Sequence, residues 1–133
     1  MEVSPNMEKD QMRSLIAAVV EAYNAKDLES IRNLYHREAT YWSALTDLCE
    51  GRDEILAHVQ ELFVALPDER MRAKVVVVEG ETAIAEFESS GRDADGAEYR
   101  IGFTEVFKIA DGLIDSVNVY IDPKDVEVIG GHH

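Results

Sequence analysis

At 133 residues the chain has the length of one domain with a single continuous core, and 46% hydrophobic against 30% charged residues is ordinary globular composition. A formal charge of −14 argues against nucleic acid and anionic membrane as partners, because phosphate binding needs clustered Lys and Arg. No apolar run approaches the ~20 residues of a membrane span, and nothing at the start resembles a signal peptide, so a cytoplasmic protein is expected. Cys49 is the single cysteine, so no internal disulfide can form; it sits beside Glu50 with no cationic neighbour in sequence to activate a thiol.

In chain order, Ser4-Pro5-Asn6 offers a helix start, and Met12, Leu15, Ile16, Val19 and Tyr23 recur at helical spacing, predicting a first helix to about Ala25. Asp27 is placed to cap a short second helix with Leu28, Ile31, Leu34 and Tyr35 as its buried stripe. His36-Arg37-Glu38 closes that helix, leaving His36 in solvent, and Ala39 to Leu45 is read as extended. Gly51 opens a third helix with Asp53 and Glu54 in its first turn, Ile55, Val59, Leu62, Phe63 and Leu66 on its apolar side, and Pro67 as its stop.

From Met71 onward the pattern is strand: Val75 to Glu79, a turn through Gly80, Thr82 to Ser90, and a polar loop from Gly91 to Gly96. Glu98 to Asp122 then reads as two long strands joined at Ala110-Asp111-Gly112, where Asp-Gly supplies the positive φ of a tight hairpin. One face of the first of these strands carries Ile101, Phe103, Glu105, Phe107 and Ile109, so Glu105 interrupts an apolar row. An acid there is paired, solvent-facing, or lining a cavity, because burying it alone costs several kcal/mol. Helices followed by consecutive antiparallel strands predict an α+β fold over residues 1–125, with 126–133 a disordered tail or tag remnant.

The segments Tyr23-Asn24-Ala25-Lys26-Asp27-Leu28, Leu34-Tyr35 with Glu38-Ala39-Thr40, Gly51-Arg52-Asp53-Glu54-Ile55, and Val106 to Ile114 together resemble the nuclear transport factor 2-like superfamily, in its SnoaL-like and ketosteroid-isomerase-like branch. The resemblance implies a cone-shaped, curved antiparallel sheet covered by about three N-terminal helices around one central pocket. It also implies a homodimer through the outer sheet face, with Thr104, Val106, Asn118 and Tyr120 as contacts. Ketosteroid isomerases place their general base where this chain has Ser43, their oxyanion tyrosine at Val19, and the acid beside it at Glu105. Limonene-epoxide hydrolases match at Tyr41, have asparagine at Ser43, and set their Asp-Arg-Asp machinery on Glu88, Glu86 and Val119.

These matches and the residues' own chemistry single out Glu105, His58 and Tyr41 as proton-transferring groups, a neutral imidazole being a base near neutral pH. Ser43, Val19, Phe63, Phe103 and Val119 are the expected substrate contacts, with Glu88 a reserve acid among them whose other reading, shared with Glu86, is a solvated acid on the outer sheet face. The function expected is a cofactor-independent cyclase, isomerase or lyase acting on an apolar, carbonyl-bearing, polyketide- or steroid-like molecule. The alternative is a non-catalytic ligand-binding or dimeric accessory module. No metal is expected, since His36 and His58 lack ligand-spaced partners.

Overall fold

The structure, a computed structural model, describes residues 5–43, 48–93, 95–122 and 124–125; the expected tail at 126–133 lies outside them. The first helix, α1, spans Pro5–Ala25 and buries Met12, Ile16, Val19 and Ala22 at the predicted helical spacing. Helix α2, Leu28–Arg32, is capped by Asp27, whose carboxylate accepts from the Ser30 amide and hydroxyl. Strand β1 covers Tyr35–Trp42, β2 Leu48–Glu50, and helix α3 Arg52–Ala65. Four strands follow: β3 Arg70–Glu79, β4 Thr82–Arg92, β5 Glu98–Ala110 and β6 Leu113–Ile121.

These strands form one six-stranded, curved and unclosed sheet in the order β2-β1-β6-β5-β4-β3, with the helices packed on its inner face. The sheet is antiparallel except where β6 returns beside β1, and that one pairing is parallel. It draws the first and last strands of the fold together. The β5–β6 turn has Asp111 at φ 53° and Gly112 at φ 79°, the two positive values that a tight two-residue hairpin demands. Register shifts between Ala73 and Val75 and between Lys108 and Ile109 mark bulges, which add twist and bend the strands. The core is centred on Phe87, Phe107, Ile31, Ile55, Val59, Ile114 and Val117, all fully buried, with the Phe87 and Phe107 rings edge to face.

Two local expectations need correction, and one strand is new. Tyr35 and His36 belong to β1, not to the end of α2, because Tyr35 pairs with Ile114 and the Ile114 amide bonds Leu34's carbonyl. His36 accordingly is not a solvated helix end: its Nε2 lies 2.6 Å from the Ala110 carbonyl oxygen, half-buried. The short β2 carried no sequence signal of its own. It exists because Cys49 pairs with Tyr41.

A long-range clamp joins α1 to β3. The Asn24 side-chain amide donates to the Met71 carbonyl at 2.8 Å, and its oxygen accepts from the Met71 amide at 2.7 Å. Asn24→Ala leaves both of these backbone groups without that partner in a largely buried place, so a loss of about 2 kcal/mol is expected in denaturant unfolding. A loss below about 0.5 kcal/mol would show that water replaces the clamp without cost.

Candidate active site

The curvature of the sheet holds its inner face away from α1 and α3 and leaves a cavity between them. Its walls are Tyr23 from α1, Tyr41 and Ser43 at the end of β1, His58 and Leu62 from α3, and Leu66, Glu69 and Met71 around the start of β3. Ile101, Phe103 and Glu105 from β5, with Val119 and Ile121 from β6, complete it. The volume is about 60 Å³, room for a few water-sized groups. The lining is mostly apolar, with its polar atoms concentrated on two carboxylates, two phenols, one imidazole and one hydroxyl. Lys and Arg are absent from that lining among the described residues.

Period-2 alternation along β5 delivers Glu105 to this place. Ile101, Phe107 and Ile109 are buried on the same face, and across the ladder Glu105 faces Ala85 on β4 and Val119 on β6. No described ion pair includes it. Burial, and then the negative charge of Glu69, push its carboxyl up from 4.5 to about 8. At neutral pH Glu105 is therefore a protonated acid, able to donate a hydrogen bond.

His58 is set by the helical period of α3, one turn after the buried Ile55 and one turn before Leu62. Burial lowers its imidazole below the ordinary 6.5, against an opposing pull from Glu61, so it is neutral at pH 7. Its Nε2 is buried and bonds no described group. The ring lies 5.2 Å from that of Tyr41 at a tilt of 50°. Burial and then the Glu105 charge push the Tyr41 hydroxyl well above its ordinary range, which keeps it a donor. An acid that keeps its proton thus shares one small space with a base that has lost its own.

Of the residues singled out from sequence, Tyr41, His58, Glu105, Ser43, Phe103 and Val119 line this cavity. Val19, Phe63 and Glu88 do not. Val19 is packed into the core one helical turn short of the cavity, and Tyr23 reaches it instead. Phe63 stands behind Tyr23, edge to face at 6.0 Å, with the Lys26 ammonium 5.2 Å above its ring. Glu88 points to the outer sheet face, where Arg72 Nε donates to its carboxylate at 3.1 Å and Arg100 lies at 3.9 Å. The hydrogen bond from Arg72 holds Glu88 below the usual carboxylate range.

Tyr23 and Glu69 were missed. Tyr23 was counted with the apolar stripe of α1, but its hydroxyl bonds that of Tyr35 at the inner end of the sheet. Glu69 lies just before β3, after the turn that its amide closes on the Leu66 carbonyl, and the tertiary path of that segment brings it to the cavity wall. No local pattern in the sequence placed it there. Among the described residues no group of three or more His, Cys, Asp or Glu comes together to hold a metal.

A curved open sheet, helices on its inner face and a cavity at their junction define a cone-like α+β class whose members differ in the groups lining the cone. The chain belongs to the SnoaL-like domain family, whose model matches residues 16–117. Solved structures agree on the fold. A candidate SnoaL-like polyketide cyclase from Jannaschia sp. CCS1 is 17% identical, with 100% of this chain and 99% of that one covered at a TM-score of 0.83. A protein of ketosteroid isomerase-like fold from Catenulispora acidiphila DSM 44928 is 13% identical, with 87% and 92% covered at 0.78. An epoxide hydrolase of the limonene-epoxide-hydrolase-like type from M. tuberculosis is 13% identical, with 87% and 86% covered at 0.75. No curated protein sequence matches significantly. The diversity of these neighbours is the behaviour of a fold that hosts many sites, so reaction type has to be argued from the cavity.

Among the described residues no helix is long and apolar enough to cross a membrane.

Proposed function

We propose that the protein is a cofactor-independent enzyme of the cyclase, isomerase or lyase type, moving a proton at a carbon next to a carbonyl group. The observation that carries this reading is the inverted pair in the cavity: Glu105 protonated and His58 neutral at the same pH. Glu105 donates to the carbonyl oxygen as negative charge develops there, in a dry space where a hydrogen bond to an oxyanion is strong. Tyr41 supplies a second donor, and the unpartnered Nε2 of His58 accepts a proton or holds a polar group of the substrate. Phe103, Val119, Ile101 and Ile121 hold the apolar part.

The volume supports a substrate whose reacting end is only a few heavy atoms across. A polyketide- or steroid-like molecule enters only if that end alone occupies the cavity. The direct test is exchange of the α-hydrogens of a small ketone such as butanone in heavy water, followed by proton NMR. The wild-type protein is expected to exceed the buffer rate; a rate equal to buffer for butanone and its near homologues would sink the reading. A non-catalytic binder of the same fold would instead be protected against thermal unfolding by the ketone without exchanging it.

We also propose that a second copy covers the outer face of the sheet. Leu48, Trp42, Asn118, Val106, Ile84 and Val77 stand in register across all six strands on that face. Leu48, Trp42, Ile84 and Val77 are exposed, and Tyr120 beside them packs its ring 5.6 Å from Trp42. In light scattering the wild type is expected at twice the chain mass and Ile84→Glu at the chain mass. A wild-type protein of single-chain mass at micromolar concentration rules the dimer out.

A further inference from the structure

We infer that Glu69 is the general base of the cavity and that Ser89 is the residue that positions it; this rests on the acid–base reading above. The backbone around Glu69 is fixed from a distance. Lys26 Nζ donates to the Glu69 carbonyl at 3.2 Å, and the Asn24 clamp grips Met71 two residues further on. Three hydrogen bonds, reaching across 43 and 47 positions, thus tie this segment to the end of α1 and the residue that follows it. Lys26 stands at φ 56° just past α1, where its amide bonds the Tyr23 carbonyl and the Asp27 amide bonds that of Ala22, closing the helix end.

The carboxylate is fixed as well. Ser89, fully buried on β4 and opposite Met71 in register, donates its hydroxyl to Glu69 Oε2 at 2.5 Å. That is the length of a charge-assisted O–H···O⁻ bond. Here the nearby cation, Lys26, bonds the backbone, and none of the ion pairs among the described residues includes Glu69. The result is an anionic acceptor held at both its backbone and its head, on the wall of a cavity that also contains the acid Glu105. Preorganisation of this kind is what a reacting carboxylate needs. His58, the other acceptor on the wall, has no bond that fixes its Nε2.

In the step this implies, Glu69 takes the proton from the carbon beside the carbonyl. The C–H electron pair forms the new carbon–carbon double bond, and the carbonyl π pair moves to oxygen, which takes the proton of Glu105. Return of a proton from Glu69 to carbon, and of the enol proton to Glu105, resets both groups. Nothing is oxidised or reduced.

Butanone exchange in heavy water tests the assignment. Glu69→Ala is expected to lower kcat by about 10²-fold or more with little change in KM, and added formate is expected to restore part of it in that variant alone. Ser89→Ala, which leaves the charge but frees the carboxylate, is expected to lower kcat about 10-fold or more at unchanged KM. Should Glu69→Ala fail to fold by circular dichroism, Glu69→Gln keeps an acceptor for Ser89 and is read in its place, with the same loss expected. Wild-type exchange that survives in these variants overturns the inference and leaves the acid–base reading intact. A loss of kcat in Glu69→Ala that neither formate nor Glu69→Asp restores marks Glu69 as structural and also overturns it. A wild-type protein that exchanges no ketone removes both the inference and the reading beneath it.

Discussion

Glu105→Gln is expected to lower kcat for ketone exchange by about 10²- to 10⁴-fold, the range lost when a general acid is removed. Glutamine keeps the shape and a hydrogen-bond donor but has no proton to give, so binding of the ketone should change far less than turnover. The same residue sets the alkaline side of the pH profile. Glu105 holds its proton below about pH 8, so wild-type exchange should fall as pH rises through that value. In Glu105→Gln that limb should be missing from whatever activity remains. A variant with a wild-type rate would show that Glu105 only shapes the cavity.

Glu105 should also make the folded state sensitive to pH, and in the direction opposite to most carboxylates. Unfolding returns it from about 8 to its ordinary 4.5. Between these values the folded protein carries a proton there that the unfolded chain has released. Stability therefore declines as pH rises through this window, is fully retained below about 4.5, and reaches its floor above about 8. At about 1.4 kcal/mol for each unit, the loss amounts to several kcal/mol, large against the 5–15 kcal/mol of a typical domain. Denaturant midpoints of wild type and Glu105→Gln compared at about pH 5 and about pH 9 report on this group together with its coupling to Glu69. The variant is expected to gain on the wild type at the higher pH. Equal differences at the two values would mean that the carboxyl reaches bulk water.

The long periodic elements were legible in the sequence. The stripe of α1, the capping of α2 by Asp27, the Gly51 to Pro67 limits of α3 and the Asp111-Gly112 turn each follow from local chemistry that no tertiary contact overrides. The junction of α2 and β1 was not, because Leu34 and Tyr35 suit one more helical turn and a strand equally. The pairing of Tyr35 with Ile114, 79 positions away, decides between them. For the same reason β2 and the parallel β1–β6 pairing had no local signature.

The site divides along the same line. Alternation along β5 placed Glu105 on the inner face, and the period of α3 placed His58 on the side that faces it, so the acid and the imidazole could be named from the sequence. Which turn of α1 reaches the cavity depends on where the helix rests on the sheet, and contact with the sheet put Tyr23 there and left Val19 in the core. Glu88 has the opposite parity to its buried β4 neighbours Phe87 and Ser89, and that parity gave it Arg72 and Arg100 in place of the cavity. The sequence by itself determined the long periodic elements and the inward face of Glu105. Only the tertiary structure decided which of those faces meet, because the clamp of Asn24 on Met71, the bond of Ser89 to Glu69 and the return of β6 beside β1 all join residues with no local relation.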